Sequence, residues 1–453
     1  MTTDHQSPRS SSTHPWPKHL PILLIFLITS LLLLLQIQSL RNTFNITSPS
    51  AWSSLFTPNS LDDHQRLRDS VTFLPLKDLR FSKTPMDGNT WFMSSLNDTR
   101  DPGESESLHF PSPASKGRLL CLLGRDASDG SKNHYALSWP DALPHGASVL
   151  GGLTFVCDTH YDYDNIWHAM GAVFPFVRWH TRNHCARPAR WVLYHWGEVR
   201  SSVAPWVRAL LTAVFIDEPN VKVLADDDGP TCFEEAVVFR HNQGAMSLDA
   251  KRAVYDTLRC KARSYCNITR TQTDSIRLTL FLRTGARAFA NELDVIRVFK
   301  RECDGLQGCV MRVQRSNGMS FCEQVRLMTE TDVLVSSHGA QMTNIFFMER
   351  NSSVMEFFPR GWLELAGVGQ YVFQWLAGGA GMRHEGGWWE PNGEKCPETM
   401  KDDPAKCFNF YKNGKVGIDE AYVANWTSRV LKNARQCMLE RSGESGLGGC
   451  ECG

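Results

Sequence analysis

The chain has 453 residues, 48 basic and 48 acidic side chains, 14 cysteines, and a hydrophobic fraction of 42%. At roughly 100–200 residues per domain, that length allows two or three domains and at least one large core, and the composition excludes a disordered, collagen-like or polytopic membrane chain. A formal net charge of zero gives no basic footprint of the kind nucleic-acid binding requires.

The first informative segment is Leu20–Leu40, LPILLIFLITSLLLLLQIQSL, which carries no charge. A helix of that length spans about 31 Å, against a bilayer core of about 30 Å. A cleaved signal peptide is the alternative, but its apolar region usually runs about 7–15 residues. Here the run is longer and ends in Gln36, Ile37 and Gln38 without an Ala-x-Ala-like site. Arg9 and Lys18 precede the run, which favours a cytoplasmic N-terminus, although Arg41 on the far side weakens that bias. The expectation is a type II topology: a cytoplasmic tail (1–19), an anchor (20–40), and everything else lumenal.

Every cysteine lies beyond the anchor, from Cys121 to Cys452, as do the Asn-x-Ser/Thr sequons at Asn45, Asn97, Asn267, Asn351 and Asn425. Both fit an oxidising, glycosylating compartment. No CxxC pair occurs, so a zinc or thioredoxin-like reading has no support. Cys303 and Cys309 flank a Gly-containing turn and are placed for a local bridge.

Residues 41–115 are rich in Ser, Thr, Pro, Asn and Asp and read as a flexible stem. From Arg118 onward strand-length apolar runs recur: LLCLL (119–123), SVLGGLTFV (148–156), WVLYH (191–195), VKVLA (221–225) and EAVVFR (235–240). Helical spacing marks Asn165–His180, Ser202–Phe215 and Ser247–Tyr265. In the second half, IRLTLFLR (276–283), GCVMRVQR (308–315), TDVLVSSHG (331–339) and SSVMEFFP (352–359) read as strands separated by helices. One of those helices opens with a Ser320/Glu323 capping box, and a short one is expected from Gln341 to Glu349. This order is the parallel, doubly wound pattern. The tail after Pro359 is Gly- and Trp-rich before a last helix near Ile418–Cys437.

The segment from Ser336 to Asn344, SSHGAQMTN, leaves a buried strand and enters a helix. Ligands bind at that edge of an open α/β sheet, and a helix N-terminus presents N–H groups to an anion. Gly339 would let the backbone approach a phosphate, with His338 and Thr343 as donors. An ordinary strand–turn–helix link with a packed histidine is the plain alternative. Arg283 ends a strand at the same edge, where a guanidinium would grip a diphosphate or simply lie on the surface; Arg287 competes for that role. Glu356 reads equally as a ligand for ribose hydroxyls or as part of a buried network. His168 opens a helix near Asn165 and suits a general base, an acceptor-binding group or a structural histidine. Asp226 to Asp228 could hold a divalent ion, but Asp-Asp-Asp-Gly-Pro is also an ordinary acidic turn, and Asp162 and Asp164 read similarly.

The run VSSHGAQMTNIFFMERNSSVMEFFP resembles the hallmark of glycosyltransferase family 61. CFEEAVVFRH (232–241), MSLDAKRAVYDTLRCKARSYCN (246–267), IRLTLFLRTGARAFANELDVI and YDYDNIWHAM (161–170) are similar to other segments of its plant branch. The resemblance covers about residues 118–440. It implies an α/β, GT-B-like fold of two Rossmann-like lobes, one on the acceptor side (116–270) and one on the nucleotide-sugar side (271–385). A C-terminal extension (386–453) would follow. It further implies a Golgi enzyme, inverting transfer from a UDP-sugar to a glycan acceptor, and no essential metal or other cofactor. Arg283, Arg287, His338, Gly339, Ala340, Thr343, Asn344, Glu356 and Asn165 are the substrate-binding candidates, and His168 the catalytic one. The sequence departs from the family in one place: Ala172 stands where members often carry Asp four residues after this histidine. A non-catalytic, membrane-tethered glycan-binding or scaffold protein is the alternative function.

Overall fold

The computed structural model describes residues 29–30, 65–76 except 69, 101–441 and 450–452, apart from 106, 125–131, 159–164, 196, 225–227, 240–245, 270–272 and 316. Contacts divide the chain at Leu67/Arg68. In the N-terminal unit, Thr29–Ser30 and residues 65–67 are helical. Most of the expected anchor, and Asn45 and Asn97, lie outside the described residues; among those described, no helix is long and apolar enough to cross a membrane.

The second unit opens with an eight-stranded mixed sheet: β1 (Leu74–Pro75), β2 (Ser107–Phe110), β3 (Leu119–Leu123), β4 (His134–Ser138), β5 (Ser148–Asp158), β6 (Arg190–His195), β7 (Glu198–Arg200) and β8 (Thr231–Phe239). Its order is β1-β4-β3-β8-β5-β6-β7, with β2 also on β8. Only β5 runs parallel to its neighbours, β6 and β8; the remaining pairs are antiparallel. This half therefore departs from a doubly wound parallel layer. Two of its strands fall inside the stretch read as stem, because β2 buries Leu108 and Phe110 against β8. The expected strand at 221–225 reduces to one bridge between Val221 and Trp191, since β7 already occupies β6 from Leu193 to His195.

Three helices lie among these strands: α1 (Ile166–Arg182), α2 (Pro205–Phe215) and α3 (Leu248–Tyr265). Asn165 caps α1 by accepting from the Trp167 N–H, and Ser247 caps α3 through the Ala250 N–H, each satisfying a donor that the first turn leaves unpaired.

The second half is a five-stranded, wholly parallel sheet. It comprises β9 (Ile276–Leu282), α4 (Glu292–Asp304), β10 (Cys309–Arg315), α5 (Phe321–Thr329), β11 (Val333–Ser337), a 3-10 helix (Ala340–Phe347), and β12 (Ser353–Phe358). After these come α6 (Trp362–Leu365), α7 (Val372–Gly379), β13 (Arg383–Trp389), α8 (Pro404–Asn413) and α9 (Glu420–Arg441). The order is β10-β9-β11-β12-β13. β11 and β12 are buried at every position, as strands covered on both faces must be. The capping box is present, with Ser320 and Glu323 satisfying each other's backbone N–H. β13 falls in the Gly- and Trp-rich stretch and straddles the lobe boundary expected at 385/386. The short helix after Gly339 is 3-10 rather than α; Met342 to Met348 are each fully buried, so packing from every side shapes it.

One apolar core runs from Phe155, Phe176 and Trp191, through Tyr255 and Leu258 of α3, to Phe281, Leu334 and Phe346. The two sheets thus share a continuous interior. A second core, with Leu280, Phe299, Phe357 and Trp426, lies under α4 and α9. Six disulfides join Cys121–Cys232, Cys185–Cys452, Cys260–Cys450, Cys266–Cys322, Cys303–Cys309 and Cys396–Cys407. Cys157 and Cys437 take no part in a disulfide.

Candidate functional site

The carboxyl ends of β9 and β11 deliver Arg283 and His338 to one place. His338 extends the β11 ladder by one bond, donating its N–H to the Phe357 carbonyl at 2.8 Å. Its own carbonyl then accepts from two guanidiniums, Arg283 Nη1 at 3.0 Å and Arg287 Nε at 2.8 Å. Arg287 is 9% exposed, holds the Lys412 carbonyl at 3.0 Å through Nη1, and lies 5.2 Å over the Trp362 ring.

Among the described residues, no carboxylate pairs with either arginine. Burial lowers the pKa of Arg283. Burial, then the charge of Arg283, lowers that of Arg287 to about 10. Arg283 Nε is buried without a partner. Unpaired buried charge is costly, so this corner of the sheet favours an anion.

Gly339 permits the approach of Arg283. Its φ of 163° is ordinary extended backbone, so the requirement is space: a Cβ would lie 2.0 Å from Arg283 Nη1 and 2.5 Å from Gln341 Oε1.

The His338 ring is held from the other side by a fully buried carboxylate. Nδ1 lies 2.5 Å from Glu356 Oε1, and His384 Nε2 lies 2.7 Å from Glu356 Oε2. Burial would raise the Glu356 carboxyl, but the hydrogen bonds from His338 and His384 outweigh it and hold its pKa below the ordinary value. Of the two readings open for Glu356, the buried network is the one formed. Phe358, Trp362 and Phe373 surround His338 at ring-centre distances of 5.1, 4.6 and 5.1 Å. With Nδ1–H given to Glu356, Nε2 is the ring nitrogen left for a ligand.

Other candidates are placed differently. Asn344 is fully committed, accepting from Trp206 Nε1 at 3.1 Å and donating to Gln324 Oε1 at 2.8 Å and the Gln341 carbonyl at 3.0 Å. It ties the 3-10 helix to α2 and α5. The Thr343 hydroxyl is fully buried without a partner, while Ala340 is half-buried. Asn165 serves as the α1 cap. His168 is half-buried in the first turn of α1. That turn reaches the site through Trp167, whose ring lies 5.6 Å from Phe373. Ala172 sits in the core at 7% exposure. Asp162, Asp164 and Asp226 lie outside the described residues; Asp228 pairs with Lys222 at 3.6 Å. Asn267, Asn351 and Asn425 are exposed.

His384 was invisible to sequence reasoning. It reaches Glu356 only because β13 pairs parallel with β12, with an irregularity between Val354 and Glu356, and nothing local in RHEGGWW announces that register.

The site thus lies on an α/β fold, at the carboxyl edge of a wholly parallel sheet, with two guanidiniums that have no carboxylate partner among the described residues. Residues 163–355 match the family model described as Glycosyltransferase 61, a match that supports membership of that family. The matched segment contains His168, Arg283, Arg287 and His338, and ends one residue before Glu356. No curated relative matches the chain.

Proposed function

We propose that this glycosyltransferase is a Golgi type II membrane enzyme that transfers a sugar, xylose or arabinose first and N-acetylglucosamine second, from a UDP-sugar to a glycan such as xylan or an N-glycan, with inversion. The observation that carries the reading is the pair of arginines on the His338 carbonyl, Arg287 buried and Arg283 half-buried, without a carboxylate partner among the described residues. A nucleotide diphosphate supplies the charge they lack.

In this reading Arg283 and Arg287 grip the diphosphate and His338 offers Nε2 to the donor, its ring fixed by Glu356. The acceptor hydroxyl attacks the anomeric carbon from the face opposite the diphosphate. The new C–O bond forms as the bond from that carbon to the β-phosphate oxygen breaks, and UDP leaves with the bonding electrons. The hydroxyl proton passes to a base, for which His168 is the candidate. The two guanidiniums neutralise the leaving group without an essential metal. The parallel sheet serves as the donor side and the mixed sheet as the acceptor side of a GT-B-like division.

Titration of the purified chain with UDP tests the reading: binding weakened in Arg283→Ala supports it, and no binding at all contradicts it. Protease added to sealed microsomes tests the topology, since the bulk of a type II chain survives until detergent is added. Ala172 favours a second reading, glycan or nucleotide binding without transfer, which binding without turnover would support.

A further inference from the structure

Beyond the arginine site, the same edge of the parallel sheet opens into a cavity of about 890 Å³. Its walls come from the ends of β12 and β13 and from the segment 390–417. Apart from Ala290, every lining residue lies beyond residues 163–355, so the family match does not account for it.

The wall is built rather than incidental. The Cys396–Cys407 disulfide staples its two sides, and the Tyr411 hydroxyl accepts from the Cys396 N–H at 3.0 Å. Arg360 ties the rim by donating to the Pro391 carbonyl at 2.8 Å and the Gly393 carbonyl at 3.1 Å. Phe410, Tyr411 and Met400 give it apolar surface.

Glu390 lines this space at 7% exposure. Oε1 accepts from the Asn392 N–H at 2.8 Å, whereas Oε2 is buried with no partner. Among the described residues, no cation pairs with it. The wall at Gly417 is open enough for this carboxylate only because no Cβ is there; one would lie 2.2 Å from Oε2. A buried acceptor left unpaired costs free energy unless a donor reaches it.

We propose that this cavity is a saccharide subsite, taking a neutral ring whose hydroxyls donate to Glu390 while its apolar face lies against Phe410 and Tyr411. A largely apolar cavity with a buried, unpaired acceptor suits such a ring; of the cations that also line it, Arg360 is held by the Pro391 and Gly393 carbonyls, Lys406 by Asp403 and Lys415 by the Gly285 carbonyl. The ring is either the ribose of the donor nucleotide or a sugar of the acceptor. The ribose source is close at hand: the Lys412–Gly414 backbone that borders the cavity accepts from Arg287 Nη1 at 3.0 Å and, at Gly414, from the Arg287 N–H at 2.8 Å. The class of ligand rests on the transferase reading.

The test uses the full-length chain, with Glu390→Gln removing the charge and Asn409→Trp filling the cavity from the exposed face of α8. Binding of UDP, pyrophosphate, xylotetraose and chitotriose is measured by calorimetry. The expected result is at least a tenfold loss for UDP or for an oligosaccharide in both variants, with pyrophosphate unchanged. Loss for UDP assigns the ring to ribose, and loss for an oligosaccharide assigns it to the acceptor. If Glu390→Gln does not fold, Asn409→Trp decides alone. Variants that bind every probe as the wild type does, or that lose pyrophosphate equally, overturn the proposal while leaving the arginine site standing. A wild type that binds no probe overturns both.

Discussion

Arg283 and Arg287 donate to a single oxygen, the carbonyl of His338, from 3.0 and 2.8 Å. Arg287 is buried and Arg283 half-buried, and the oxygens they hold, those of His338 and, for Arg287, of Lys412, are neutral, so a counter-charge is what the site lacks. Replacing either arginine with alanine is expected to weaken UDP binding about 10- to 150-fold, the worth of a charge-assisted hydrogen bond of about 1.5–3 kcal/mol. Arg287→Ala should also lower the unfolding temperature, because that side chain holds the Lys412 carbonyl and covers Trp362. Calorimetry beside thermal denaturation separates the two effects.

Gly339→Ala should reproduce the binding defect of Arg283→Ala without unfolding the protein. The added methyl meets the far end of a flexible side chain, 2.0 Å from Arg283 Nη1, so the guanidinium moves and the backbone does not. An unfolding temperature near wild type with UDP binding about tenfold weaker is the expected pair of results. Normal UDP affinity would show that the position of Arg283 is immaterial.

Acid should unfold this protein partly through Glu356. Its folded pKa is depressed below the ordinary 4.5, so the folded state releases this proton more readily than the unfolded one. The resulting stability is present above about pH 5 and is lost as pH falls through the folded value. Glu356→Gln should cost about 1.5–3 kcal/mol near pH 7, as loss of hydrogen bonds to a charged group. The gap from wild type should then narrow towards pH 3. Parallel melting curves from pH 7 to 3 would remove Glu356 as the source.

The C-terminus is pinned by two bridges, Cys185–Cys452 and Cys260–Cys450, which attach it to the end of α1 and to α3. Ending the chain at residue 449 should destabilise it by about 2–5 kcal/mol. Alkylation of the unreduced, unfolded wild type should label Cys157 and Cys437, leaving the other cysteines blocked; further labelled sites would disprove the pairing.

Much of the parallel sheet was legible because β9, β11 and β12 are short, largely apolar and buried, and capped helices intervene. IRLTLFL, the Ser320/Glu323 box and the Asn165 cap each express a local rule. The first half was less so: β2 looks like stem because Leu108 and Phe110 are its only buried apolar side chains, and the run at 221–225 loses its place to β7. The site divides along the same line. Arg283 and His338 follow from strand ends, whereas His384 depends on register and Glu390 on a disulfide-stapled loop, and neither leaves a mark in its own neighbourhood.

The most direct measurement is donor consumption by the purified chain against a panel of UDP-sugars, with EDTA present and a glycan acceptor supplied. The expected result is turnover of one UDP-sugar in EDTA, with inversion of the product anomer and loss of the reaction in Arg283→Ala. Turnover that ceases in EDTA, returns with Mn²⁺ and is lost in Asp226→Asn with Asp228→Asn would contradict it.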